Sequence, residues 1–254
     1  MTYGKFAYLY DELMKDVPYD EWVSIVTEKW SKYQCKGKKL LDLACGTGEL
    51  SVRFAKAGFE VIGVDLSADM LTVAHMKAET NGLKLPFYQQ NMVELDLYER
   101  FDIIGIFCDS LNYLQTEEEV LETFEKVYNL LDEDGLLLFD VHSVHKIMNI
   151  FMNQTFTHDD EDICYIWNCF QGEYPISIEH ELTFFVHDDE SGKYDRYDEF
   201  HSQRTFPVDV YKNWLEASGF YVLETFSDFT DDHITSEAER IFFLAKKQTE
   251  KSAD

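Results

Sequence analysis

Apolar residues recur every three or four positions in two stretches near the start of the chain. Residues 6–15 place Phe6, Leu9, Leu13 and Met14 on one stripe, and 19–33 do the same with Trp22, Ile25, Val26 and Trp30. That spacing predicts two amphipathic helices. Pro18 stands just ahead of the second, where a first helical turn tolerates it. From Lys39 the rhythm changes. Short, nearly continuous apolar runs at 40–44, 59–65, 83–89, 101–108 and 135–141 alternate with helical patterns over about 49–58, 67–81 and 117–131. Strands apolar on both faces and separated by helices predict a parallel sheet covered on both sides.

Over 156–206 the period falls to two, as in Ile163-Tyr165-Trp167-Cys169 and Leu182-Phe184-Val186. Three antiparallel strands, at about 162–171, 176–187 and 194–206, are expected there, with Gly192 near a hairpin tip. Pro207 opens a helix that stops at Gly219, and strands at 221–226 and 241–246 complete the main sheet. The expected fold class is therefore α/β, doubly wound, with seven mostly parallel strands and an inserted antiparallel β-sheet. With 254 residues and no linker composition, the chain reads as one domain carrying an elaboration. The polar tail from Lys246 is expected to fray.

Composition narrows the partners. Lys and Arg number 22 against 49 Asp and Glu, a net charge of −27. Such a balance disfavours nucleic acid and anionic membrane, both of which call for a basic surface. No apolar stretch approaches the roughly 20 residues needed to span a bilayer, and the first residues lack the pattern of a secretory or organellar signal. Five cysteines, odd in number and without a CxxC pair, fit a reduced cytoplasm.

The chemistry concentrates in LLDLACGTGEL, residues 40–50. An apolar strand enters a turn with Gly46 and Gly48 and passes straight into a helix. Glycine lets a ligand approach the backbone, and the helix start offers free N–H groups. Asp65 ends the next strand, the spacing of an acid that accepts from ribose hydroxyls in nucleotide-binding α/β folds. NAD(P), FAD and S-adenosylmethionine all fit so far. Asp42, just before the turn, would repel a pyrophosphate and suits an ammonium or sulfonium. GxGxxG is also incomplete, because Ser51 follows Gly46 and Gly48.

On these residues the chain resembles class I S-adenosylmethionine-dependent methyltransferases of the small-molecule subgroup, with a Rossmann-like sheet. Asp42 to Gly48 match the first motif, with Ala44 where the family often has glycine. Asp65 matches the ribose-binding acid. The resemblance further implies cofactor contacts from Leu66, from Asn91 and Met92 at the adenine, and from Cys108 near the methionine portion. Asn91 replaces the family's usual Asp. Residues 1–38 look like the helices that lid the cofactor, with Tyr19 at the place of a contacting aromatic.

The acceptor is expected beside 109–113, where Tyr113 would orient it and His142 serve as general base. Asn112 and Tyr113 can equally begin a plain loop. His142 and His145 have ligand-like spacing, yet no further metal ligands can be nominated. The insertion is the expected determinant of the acceptor. Its aromatic residues Tyr165, Trp167, Tyr174, Tyr194 and Tyr197 either wall an apolar pocket or pair two chains as a homodimer. Methyl transfer to a small molecule, an amine among the choices, competes with a non-catalytic regulator that binds the same cofactor. A tRNA-modifying enzyme is disfavoured by the net charge, and a nicotinamide-dependent oxidoreductase by Asp42.

Overall fold

A computed structural model describes residues 10–11, 13–189, 191–230 and 234–248. Of the first expected helix, Tyr10, Asp11 and Leu13 are helical, while Phe6 and Leu9 lie outside the described residues. The end of the polar tail, from residue 249, also lies outside them.

Helix α1 (Tyr19–Lys32) buries Trp22, Ile25 and Val26, the stripe set by its apolar spacing. The alternating unit then runs β1 (Lys39–Leu43), α2 (Glu49–Lys56), β2 (Glu60–Asp65), α3 (Ala68–Thr80), β3 (Phe87–Gln89), β4 (Phe101–Ile106), α4 (Glu117–Leu130) and β5 (Leu131–His142). Local chemistry starts the helices. Ser67 Oγ accepts from Met70 N–H ahead of α3, and Thr116 forms a reciprocal capping box with Glu119 ahead of α4. After the insertion come α5 (Val208–Ala217), β10 (Phe220–Ser227) and β11 (Arg240–Lys247). The seven-stranded sheet has the order β10-β11-β5-β4-β1-β2-β3. The first five strands pair in parallel, and β11 enters antiparallel between β5 and β10.

Neighbouring strand residues point to opposite faces, and both faces are buried. Leu40, Val61, Leu136 and Leu138 pack with Trp22, Val26 and Phe54 of α1 and α2. Leu41, Leu137 and Phe139 pack with Phe124 of α4 and Tyr211 and Leu215 of α5. This two-sided burial explains why β1, β4 and β5 read as continuous apolar runs. The expected strand at 83–89 is shorter than its apolar run. Only Phe87–Gln89 pair with β2, because Pro86 has no N–H to give the ladder.

The insertion is a separate sheet of four strands, not three: β6 (Thr155–Asp159), β7 (Ile163–Gln171), β8 (Ser177–Asp188) and β9 (Lys193–Arg204), in that order. β6 escapes the periodicity because it is a five-residue edge strand of mostly polar, exposed residues. A π-helical segment, Lys146–Phe151, joins β5 to this sheet. One face of the sheet carries Trp167, His180, Phe184, His201 and Gln203, and this face turns toward the main domain. His180 and His201 sit opposite each other in the β8–β9 register. No described helix is long and apolar enough to cross a membrane.

Candidate active site

The carboxyl ends of β1, β2, β3 and β4 open into a cavity of about 540 Å³, the size range of small-molecule sites. That is the place where open α/β sheets leave a crevice between diverging connections. Between β1 and α2 the backbone is held in left-handed conformations, at Ala44 (φ +62°), Gly46 (φ +54°) and Gly48 (φ +72°). A Cβ on Gly46 would meet no heavy atom within 4 Å, whereas one on Gly48 would come 2.9 Å from Ala74 Cβ. Gly46 thus faces the open cavity, and Gly48 lets α2 lie close to α3.

Asp65 ties this turn to the end of β2. Its carboxylate accepts from Gly46 N–H and from Ser67 N–H, each at 2.8 Å. Burial raises its pKa above the ordinary carboxylate value, although these backbone donors favour the charged form. Asp42 is 2% exposed and accepts from Ser51 Oγ. Burial pushes its carboxyl up to about 7. Both acids line the cavity, as do Ala44, Gly46, Leu66, Asn91, Met92 and Cys108. Gly48 itself stands behind the wall. Asn91 Oδ1 accepts from Val93 N–H at 3.1 Å and caps a short 3₁₀ turn, Met92–Glu94.

The N-terminal segment closes one side. Tyr10, Met14 and Tyr19 reach the cavity, and Tyr19 is buried. Asp11 accepts from Thr47 Oγ1 and from Lys77 Nζ, which pins the segment to the glycine turn and α3. Thr47 and Met70 also line the cavity. Neither stood out in the sequence, where each reads as an ordinary residue of a turn or a helix.

At the opposite end, the backbone after β4 turns sharply through Cys108 (φ +53°) and Asp109 (φ +54°). Asp140 of β5 holds this bend, accepting from Cys108 N–H at 3.0 Å and Asp109 N–H at 2.9 Å. Trp22 Nε1–H also donates to Asp140, at 2.8 Å. Arg240 of β11 pairs with Asp140 and, at 2.9 Å, with Asp109. Burial opposes ionisation of Asp109, but His142 and Arg240 outweigh it and hold the carboxyl well below the ordinary range. Burial pushes the Cys45 and Cys108 thiols well above theirs, so neither is a thiolate at neutral pH.

His142 does not line this cavity. It is 5% exposed, stands behind Asp109 with Nε2 3.2 Å from Oδ2, and has an unpartnered Nδ1 among the described residues. The residue expected as base therefore stands behind the wall, and Asp109, in the turn after β4, lines the cavity in front of it. Asn112 is fully buried and ties three elements, donating to Arg204 O and accepting from His142 N–H. Tyr113 does reach the cavity, with its hydroxyl 3.2 Å from Nδ1 of His201, which lines it too. Enclosure lowers the His201 pKa. His201 was not legible as a site residue, because it sits in a polar alternating strand and reaches the cavity only when the insertion folds back. The described residues hold no cluster fit for a metal ion.

Known proteins share this architecture. The family model described as "Methyltransferase domain" matches residues 34–197. A Geobacillus sp. (strain WCH70) protein described as a "Putative methyltransferase" is 55% identical over 97% of this chain and 100% of its own length. The glycine/sarcosine N-methyltransferase of Halorhodospira halochloris is 25% identical over 83% of this chain and 75% of its own. The crystal structure of an S-adenosylmethionine-dependent methyltransferase from Clostridium acetobutylicum superposes with a TM-score of 0.89 at 31% identity, covering 97% of this chain and 99% of that one. The chain belongs to the methyltransferase-domain family and is an enzyme that uses S-adenosylmethionine.

Proposed function

We propose that this methyltransferase acts on a small-molecule amine and that both the donor and the acceptor occupy the 540 Å³ cavity. The observation that carries the reading is the joining of Gly46 and Asp65 in the wall of that cavity. The residues present suit the donor. Gly46 leaves its side-chain space open, Asp65 has remaining lone pairs for a ribose diol, and Asp42 places a buried carboxyl where a cation gains most. Tyr19, Ala44, Leu66, Met92 and Cys108 would complete its surroundings, with Asn91 offering an amide to the adenine edge. Residues 1–38 would serve as the lid, in keeping with the position of Tyr10, Met14 and Tyr19.

Bound S-adenosylmethionine supplies a methyl group already activated on a sulfonium. The protein's task is then to orient the acceptor, exclude water and accept a proton where one must leave. Tyr113 and His201 stand in the wall for that purpose, with His201 as the proton acceptor. The insertion supplies His201 and so helps select the acceptor. An amine fits the preponderance of carboxylates in the wall.

Titration calorimetry with S-adenosylhomocysteine and with NAD tests the cofactor, and binding of NAD alone would overturn it. Incubation with methyl-labelled donor and a metabolite extract tests the acceptor. Label is expected in the amine fraction. Recovery only in hydroxyl or thiol compounds would show that the acceptor class is wrong.

A further inference from the structure

The cavity wall contains five carboxylates, Asp42, Glu49, Asp65, Asp109 and Glu119, and no Lys or Arg among the described residues. All five are engaged by structure. Glu49 pairs with Lys77 and Arg53, Glu119 belongs to the capping box of α4, and Asp65 anchors the glycine turn. Asp109 differs. It lies beside Tyr113 and His201, at the end of the cavity away from that turn. Asp109, Asp140 and Arg240 together carry one net negative charge, which a neutral His142, 3.2 Å from Asp109 Oδ2, leaves in place.

The sheet insertion orients this charge. Trp167 Nε1–H donates to His180 Nδ1 at 3.0 Å, so the proton of a neutral His180 sits on Nε2, 3.2 Å from Gln203 Oε1. Gln203 Nε2 in turn donates to Asp109 Oδ2 at 2.8 Å. Burial lowers His180 to about 4, in keeping with that neutral state. A run of polar groups from β7, β8 and β9 therefore ends on the cavity carboxylate. A carboxylate or phosphate on the acceptor would meet the wall carboxylates and no Lys or Arg side chain among the described wall residues. Such an arrangement is strongly unfavourable.

We propose that the acceptor subsite formed by Asp109, Tyr113 and His201 selects an amine that carries no carboxylate or phosphate group. The inference rests on the proposed placement of donor and acceptor in this cavity. It excludes free amino acids and phosphorylated compounds as acceptors. The ammonium form is drawn to Asp109, and one proton passes from it to Nε2 of neutral His201, in the tautomer whose Nδ1–H donates to the Tyr113 hydroxyl oxygen. The freed lone pair forms the new N–C bond as the donor's C–S bond breaks, and that electron pair stays with sulfur. No other reagent is needed.

The test uses the full chain saturated with S-adenosylhomocysteine and three matched probes: benzylamine, benzyl alcohol and benzoate. Their binding is followed by ligand-observed NMR. Benzylamine is expected to bind at least about tenfold more tightly than benzoate, the scale of a close charge pair. In Asp109→Asn that preference should shrink to within roughly threefold. His201→Gln provides a second variant should the first not fold, and it should weaken benzylamine while leaving benzoate excluded. Benzoate binding as well as benzylamine, or benzylamine not binding at all, would overturn the proposal with the cofactor reading intact. Failure of S-adenosylhomocysteine to bind would instead remove the reading beneath it, and the proposal with it.

Discussion

The backbone N–H of Gly46 donates to Asp65 Oδ2 at 2.8 Å, so the acid that ends β2 also fixes the turn that follows β1. The two strands are parallel neighbours, with Leu43 opposite Val64. One carboxylate thus shapes the glycine turn and faces the ligand space at once.

Asp65→Ala should therefore cost more than a surface contact. Loss of hydrogen bonds to a charged group predicts a fall of about 1.5–3 kcal/mol in affinity for S-adenosylhomocysteine. Calorimetry reads this directly. Affinity equal to that of the native chain would show that the ribose is held elsewhere.

Asp42 predicts a pH dependence of the opposite sign to that of an ordinary surface carboxylate. Burial raises its pKa from 3.8 to about 7, so between those values the folded chain binds more protons than the unfolded one. Its contribution to stability is full below pH 3.8 and is lost as the pH rises through about 7. Asp42→Asn should flatten that part of the profile in urea titrations at pH 5 and pH 8. Cationic S-adenosylmethionine should also bind more tightly as the pH rises through 7, and neutral-sulfur S-adenosylhomocysteine less so. Equal pH profiles for the two ligands would count against Asp42 as the sulfonium's partner.

Backbone conformation separates Ala44 from Gly48. Ala44 holds φ +62°, which costs an L-residue roughly 1–2 kcal/mol. Ala44→Gly relieves that strain but frees the unfolded chain by about 0.4–1 kcal/mol, so the net gain should stay below about 1.6 kcal/mol. Gly48→Ala should destabilise by about 1–3 kcal/mol, because φ +72° is joined by a 2.9 Å approach to Ala74. Chemical denaturation of both variants checks the contrast.

Arg240 pairs the buried Asp140 and the partly buried Asp109, and burial alone would lower its own pKa were those acids not there to raise it. Arg240→Met leaves both acids without their cation. A loss of about 3–5 kcal/mol is expected, as for a broken buried ion pair. The double variant with Asp140→Asn should recover part of it. A measured cost under about 1 kcal/mol in the single variant would show that His142 and the backbone donors suffice.

Periodicity alone revealed the alternating unit and its last two strands, because β1, β4 and β5 bury both faces and their side chains leave no choice of register. The turn between β1 and α2 was equally legible, since only a few residue types tolerate its left-handed backbone, and Asp65 follows at a fixed distance along the chain. β6 was missed because a short polar edge strand carries no apolar alternation. His142 and His201 mark the boundary of what a linear reading contains. Both are histidines in strands, and nothing near either one in the chain says which faces the ligand. Position along β5 brought His142 to the right end of the sheet, but packing turned it behind Asp109. His201 reached the cavity through a hydrogen-bonded sheet that folds back over the domain, uniting residues 88 positions apart. Local sequence determined the elements and the donor turn through short-range sterics and burial. Tertiary packing alone decided the wall around Tyr113 and His201, because its chemistry comes from separate sheets whose meeting depends on long-range contacts.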